Sequence, residues 1–412
     1  MDYVELGSRT HRRAATGMLL GSIVSFAIMY SPQPLISLFS KEYGISPGTA
    51  GLSVSVTTMA LAVSLLFVSI LSGRWGRKTI MSVSLLSTSI LAIASAFVHD
   101  FHLFLVLRFL QGVSVAGFPA VAMAYLNEEF SPKAIGKVMG IYVAGTSIGG
   151  FVGRIVIGAL TDLFSWQIAL IILGLISLLC SLWFWLYLPA SRNFVPKEIS
   201  FSSWWKEMLT TLTNRRLLRL FGIGFLLMGA YISVLNYIGY PLMHAPYNLS
   251  QTVFGFLFVV NLGGTYSSLL FGRLADRLPR AHVISIALAI LTTGVLLTLH
   301  PLLALKIVGV ALVAFGFFAA HSVTSGWVGL LSDQGCKAHA SSWYLLFYYG
   351  GSSLIGWSSG SFLSEYHWSG LVYYLCGLIA LIFLLAYRSG TARPSAAKPL
   401  SRKPLPRKIG HA

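Results

Sequence analysis

The sequence predicts an all-α membrane protein: twelve transmembrane helices arranged as two pseudo-symmetric six-helix halves. Three observations predict it. The 412 residues are 56% hydrophobic and only 10% charged, with a mean hydropathy of +0.76, whereas soluble domains carry roughly 25% charged residues. The apolar residues fall in runs long enough to cross a bilayer, which takes about 20 residues each. The lysines and arginines fall almost entirely in alternate breaks between those runs.

The runs lie near 14–39, 48–72, 79–98, 101–127, 134–160, 166–189, 217–242, 251–273, 281–299, 301–330, 338–364 and 367–388. None alternates with period two, so a barrel is excluded. Inside hydrocarbon each segment must satisfy its own backbone groups, and that leaves helices. The longest break divides the spans six and six. The expected organisation is therefore a cytoplasmic N-terminus at 1–13, a first half at 14–189, a cytoplasmic linker at 190–216, a second half at 217–388 and a basic cytoplasmic tail at 389–412. The short basic lead into the first run carries no evident cleavage site and reads as an uncleaved first span. In the linker, Pro196 and the Trp204–Trp205 pair suggest a short helix lying at the membrane interface. Asn248-Leu249-Ser250 is formally a glycosylation sequon, but Ser250 fits better as the N-cap of the eighth span.

The net charge of +17 would suit a nucleic-acid binder, but its distribution does not. With the N-terminus placed in the cytoplasm, 25 of the 29 Lys and Arg residues fall on cytoplasmic segments. Only Lys41 falls outside, and Arg108, Arg154 and Lys306 lie within spans. This is the positive-inside bias of an integral plasma (bacterial inner) membrane protein with both termini cytoplasmic. The bilayer is thus one partner, with the basic tail held to anionic lipid, and nucleic acid is not. Cys180, Cys336 and Cys376 lie in or beside spans and imply no disulfide framework. No grouping of residues suggests a metal or another cofactor.

The halves repeat one another. Tyr30-x3-Pro34-Leu35 matches Tyr237-x3-Pro241-Leu242, residues 70–78 match 273–280, and the pair Gly158/Trp166 matches Gly360/Trp368. The matches keep one order at an offset of about 202–207 residues. Two halves of six spans, each starting from the same side, form a parallel repeat of the kind secondary transporters use.

Four stretches then carry a resemblance. SILSGRWGRK (69–78) follows the second span, and GRLADRLPR (272–280) is its counterpart. RFLQGVSVAGF (108–118) lies in span four. Gly136-x8-Gly145-x3-Gly149-Gly150-x2-Gly153-Arg154 lies in span five, and FGFFAAHSVTSGWVG (315–329) in span ten. Together they resemble the major facilitator superfamily, and within it the acriflavine-sensitivity (YnfM-type) group. The resemblance covers essentially all twelve spans and implies the major facilitator fold. It also implies that Ser69, Gly73, Arg74, Gly76, Arg77 and Lys78, with Gly272, Asp276 and Arg277, form a gating motif that locks the halves together on the inner side. Ser69 stands where the family has Gly and Gly73 where it has Asp. Asp276 is placed to cap the start of span five near Ser131–Pro132. The alternative is that the cations only anchor topology. The glycine stripe lets helices approach closely and suits a sliding contact between halves. Gly150 replaces the family's Pro and Arg154 its last Gly, so the antiporter motif is degraded.

The substrate and coupling candidates follow. Arg108 lies seven residues into span four, roughly 10 Å deep, and Arg154 about six residues, or ~9 Å, from the outer end of span five. Neither has an acid nearby, since Asp162 and Glu365 sit at outer helix ends. Charge buried in this way faces water, carbonyl dipoles or an anion. Both arginines are expected to edge the central cavity, with a structural arginine bonding carbonyls as the alternative for Arg108. His321, alone among the histidines, falls mid-span and can carry a proton near neutral pH; its alternative is a hydrogen bond to Ser322, Ser325 or a carbonyl. Family geometry places spans one, four, seven and ten around the path, which adds Tyr30, Gln33, Asn236, Tyr237 and Tyr240.

The expected function is secondary active transport by alternating access. No ATP-binding Gly-x4-Gly-Lys-Ser/Thr loop occurs, and no clustered nucleophile, base or metal set suggests an enzyme. By resemblance, and with His321, protons are the expected coupling ion, and the activity is export of drug-like or amphipathic small molecules by a monomer. The uncompensated arginines point instead to an anionic metabolite, because positive potential repels cations.

Overall fold

The computed structural model describes residues 3–131, 134–194, 201–332 and 337–390, without the side chains of 69–74 and 201–203. Pro132, Pro196, Cys336 and the tail beyond 390 lie outside that set, as do the side chains of Ser69, Gly73 and Arg74.

Ten spans are separate: Arg9–Tyr43, Pro47–Trp75, Arg77–Ser95, Phe101–Glu129, Ile135–Leu163, Trp166–Tyr187, Arg215–Met243, Gln251–Arg277, Arg280–Leu297 and Leu303–Leu331. A further continuous stretch, Lys337–Gly390, holds two spans that meet at His367, whose φ of 56° is left-handed and breaks the helix. Twelve spans result, numbered here in chain order. Short polar caps start them where the sequence offers one. Ser46 accepts from Thr49 N, Asp100 from Leu103 N and Ser165 from Ile168 N. Ser250 accepts from Val253 N, so the sequon serine is the cap of span 8.

Spans 1 and 7 break at the matching Tyr-x3-Pro-Leu segments, after Tyr30 and Tyr237. A proline cannot donate to the preceding turn, so each span bends there and continues as a short second helix. Trp166 and Trp368 mark the repeat again. Each indole is buried and donates to a side chain of its own half, Glu42 at 2.9 Å and Thr298 at 3.1 Å.

An even number of crossings puts both described chain ends on one face, the terminal face. On the opposite, far face the halves are sealed together. Spans 2 and 11 touch at Gly48 and Gly360, where added side chains would meet the other backbone. Spans 5 and 8 touch where Gly158 faces Gln251 and Gly255 faces the Arg154 carbonyl. The Asp162 carboxylate accepts from Gln251 N (3.1 Å), Thr252 N (2.7 Å) and Thr252 Oγ1 (2.6 Å). The described hydrogen bonds between halves run from this seam inward to Ser353 Oγ on Ser55 O, 2.6 Å. Among the described residues, the hydrogen bonds between the halves thus gather at the far face and just inward of it.

The linker helix, Phe201–Thr211, is the one expected from the tryptophan pair. Trp204 packs on Phe67 of the first half with ring centroids 6.3 Å apart. Trp343 of the second half donates to Met208 O at 2.9 Å.

Candidate functional site

Arg108 and Arg154 have different surroundings. Arg108 is 1% exposed. Its Nε donates to Ser53 O at 2.8 Å, Nη1 to Ile28 O at 3.2 Å and Gln111 Oε1 at 2.5 Å, and Nη2 to Met29 O at 2.6 Å. All three nitrogens are committed. The carbonyls of Ile28 and Met29 are within reach because span 1 ends its regular helix at Tyr30, where the last turn's carbonyls lose their i+4 donors; Ile28 O also accepts from Ser31 Oγ at 2.9 Å. The expectation that Arg108 edges the cavity is therefore corrected: it clamps spans 1, 2 and 4 of the first half together.

Arg154 does reach a cavity. Its Nε donates to Gln33 Oε1 at 2.7 Å, and its Nη1 donates to Gly150 O one turn earlier. Its guanidinium lies over Tyr30 at 4.5 Å and Phe258 at 4.6 Å. Among the described residues no atom accepts from Nη2, yet Nη2 is not sealed in protein. It faces a cavity of about 130 Å³ lined by Tyr30, Arg154, Tyr231, Asn261, Phe317 and Tyr348, among others. That is close to the engineered volume that admits one benzene ring. The walls are aromatic: Tyr231 stacks on Phe317 with centroids 3.8 Å apart, and its hydroxyl donates to Asn261 Oδ1 at 2.9 Å. No carboxylate lines the cavity among the described residues.

Local chain geometry builds this pocket. Gly145, Gly149 and Gly153 press span 5 onto span 1, where added Cβ atoms would overlap Leu19 O, Ile23 O and Ala27 Cα. The stripe therefore joins two helices of one half, which corrects the expected sliding contact between halves. It works there because Ser22 and Ala27 are small and the backbones can meet. Gly150 faces Arg154 instead, and Gly136 faces open space. Opposite them, span 8 tightens into a 3-10 turn at Phe258–Val260, which sets Phe258 against the guanidinium.

The remaining candidates divide. Tyr30 lines the cavity. Gln33 lies behind Arg154, fully buried, and its Nε2 donates to Asn236 Oδ1 across the halves at 2.6 Å. Tyr237 donates to Gly356 O at 2.7 Å, and Tyr240 to Ile36 O at 3.5 Å. Both tyrosines belong to the far-face seal and not to the cavity wall, because the chain bends at Tyr237 and carries them past it. His321 pairs its Nδ1 with the Tyr344 hydroxyl at 2.9 Å and stacks near Phe317 and Tyr348. Its partner is thus neither Ser322 nor Ser325, which bond backbone carbonyls.

The motif after span 2 works within the first half in this structure. Gly76 takes φ 83°, a left-handed turn that glycine permits. Arg77 forms a two-pronged pair with Glu128 at 2.6 and 3.0 Å, and Lys78 donates to Leu188 O at 2.6 Å. The side chains of Ser69, Gly73 and Arg74, on which the expected lock between halves also rests, lie outside the described set. Arg277 ends span 8, where a cation suits the negative helix terminus, and Gly272 faces open space. The cap proposed between Asp276 and Ser131–Pro132 lies partly outside the described residues.

Sequence reasoning missed Tyr231, Phe258, Asn261, Tyr348 and the Asp162 staple. Asn261 carried a usable signal, as a lone amide inside an apolar run. The tyrosines did not, because aromatic residues also populate the membrane interface.

A bundle of twelve spans in two repeated halves, joined at one face around an aromatic-walled cavity that holds one arginine, is the architecture of a membrane transporter. The comparisons agree. The Major Facilitator Superfamily profile matches residues 18–242 and 220–410, and the chain belongs to that superfamily. It is 43% identical over 386 residues to the uncharacterized MFS-type transporter YybF of Bacillus subtilis, covering 94% of each chain. It is 38% identical over 390 residues to the inner membrane transport protein YnfM of Escherichia coli, covering 95% of this chain and 92% of that one. Among solved structures, a bacterial homologue of the lysosomal transporter Spinster, in an inward-facing conformation, superposes with a TM-score of 0.73. It shares 14% identity and covers 93% of this chain and 96% of that one. At that identity the likeness concerns the fold.

Proposed function

We propose that this transporter carries a small amphipathic organic anion, with its ring or apolar body between the aromatic walls and its acidic group on Arg154. The observation that carries the proposal is the open edge of Arg154: a cation held by two rings and two acceptors, with free donors at an aromatic-walled, ring-sized cavity that has no carboxylate among the described residues. Arginine presents a planar fork suited to carboxylate. In the bilayer, an uncompensated charge is costly unless it meets water or a ligand.

The positive-inside bias supports a cytoplasmic terminal face, which would make the far-face seam the outer seal. Proton coupling and export follow from the YnfM-type resemblance, with His321 as the proton carrier. A second reading, export of cationic drug-like molecules, is favoured by the aromatic walls, since ring faces attract cations. Arg154 weighs against it.

The test uses purified protein in liposomes under an imposed pH gradient, following labelled benzoate and a cationic dye. Benzoate movement beyond that in protein-free liposomes, lost in Arg154→Gln and with no dye movement, supports the anion reading. Dye movement without benzoate movement overturns it in favour of the second.

A further inference from the structure

We infer that Gln33 and Asn236 form a latch on the far-face seam, and that an anion docking at Arg154 releases it. The inference rests on the anion reading above. It extends that reading from where the ligand sits to how the ligand moves the halves.

The hydrogen bonds dictate one another. Arginine has only donors, so Gln33 must turn its carbonyl oxygen to Arg154 Nε, as it does at 2.7 Å. Its amide nitrogen is then forced toward Asn236, which must answer with Oδ1, at 2.6 Å. Asn236 Nδ2 is left buried without a partner. The two residues are 203 positions apart, one in each half. A charge in the cavity therefore orients two amides in sequence and closes a bond between the halves.

The closed seam carries a defect. A buried donor with no acceptor opposes burial, and parting the halves would let water reach Asn236 Nδ2. An anion on Arg154 acts in the same direction. It draws the guanidinium into the cavity, weakens the demand on Gln33 Oε1 and frees the Gln33 amide to turn from Asn236. A loaded cavity thus favours opening of the far face, and an empty one keeps it latched.

Two substitutions separate this from simple damage, because they act in opposite directions. Asn236→Ala removes the cross-half bond and leaves Arg154–Gln33 intact. Gln33→Glu supplies a carboxylate that accepts from Arg154 and lets Asn236 turn its unpartnered Nδ2 toward it. Spin labels go on Phe97→Cys and His300→Cys, exposed far-face positions in different halves, after replacement of Cys180, Cys336 and Cys376. Double electron–electron resonance reads their separation without substrate and with benzoate.

The expected result is a closed-to-open ratio about tenfold lower in Asn236→Ala, the scale of one buried hydrogen bond, and a ratio raised in Gln33→Glu with no response to benzoate. Asn236→Ala distances identical to wild type, or both variants shifting the same way, overturn the latch. Calorimetric benzoate binding is measured in parallel. Opposite shifts without benzoate binding overturn the release step and the anion reading beneath it. Benzoate binding with unmoved Asn236→Ala distances overturns the latch alone.

Discussion

Replacing Arg154 and Arg108 in turn by Gln should produce two different failures. Arg154 uses two of its five N–H donors on Gln33 and Gly150. A carboxylate meeting one of the free donors gains a charge-assisted hydrogen bond of about 1.5–3 kcal/mol. Losing it weakens binding by about 10- to 100-fold at 1.4 kcal/mol per tenfold. Calorimetry on the purified protein should show that loss for benzoate and no change for the uncharged ring amide, with the thermal midpoint lowered by no more than the loss of the donor to Gln33 Oε1. Arg108→Gln removes a charged donor from the carbonyls of Ser53, Ile28 and Met29, of which Ile28 O keeps the Ser31 hydroxyl at 2.9 Å. Hydrogen bonds to a charged group contribute about 1.5–3 kcal/mol, so the variant should lose stability on that scale. Whatever protein survives should keep its benzoate affinity. Benzoate binding unaffected in Arg154→Gln, or lost in Arg108→Gln without a fall in the melting midpoint, would refute the division of roles.

Two further substitutions probe the gate and the coupling. Gly360→Val places a side chain into Gly48 at the far-face seam. It should bias the transporter toward a far-face-open form, read as a longer separation between spin labels at Phe97→Cys and His300→Cys; an unchanged separation would show that Gly48 and Gly360 need not meet. His321→Gln preserves a hydrogen bond to Tyr344 but removes the titrating ring. Gradient-driven accumulation should disappear while exchange at equal pH continues, and accumulation at the wild-type level would exclude His321 as the proton carrier.

Much of the fold was legible because its determinants are local. Twelve apolar runs must be helices in hydrocarbon. Ser250 could be read as a cap from its position alone, and the repeated Tyr-x3-Pro-Leu marked matching points of the two halves, where the structure places two matching breaks. Glycine spacing announced close helix contact, but not with which helix. Gly145, Gly149 and Gly153 meet span 1 of their own half, a fact of three-dimensional order that spacing does not encode.

The two arginines mark the boundary most clearly. By itself the sequence determined that each is an intramembrane charge without an acid beside it, and that such a charge must find carbonyls, water or an anion. Only the tertiary structure decided which. The break after Tyr30 turns the carbonyls of Ile28 and Met29 onto Arg108 and saturates it. The packing of spans 1, 5 and 8 leaves Arg154 with Gln33, Gly150 and two rings, and with donors to spare. Hydrogen-bond partners 79 or 121 positions away are set by how helices meet in space, and the chain order alone carries no record of that.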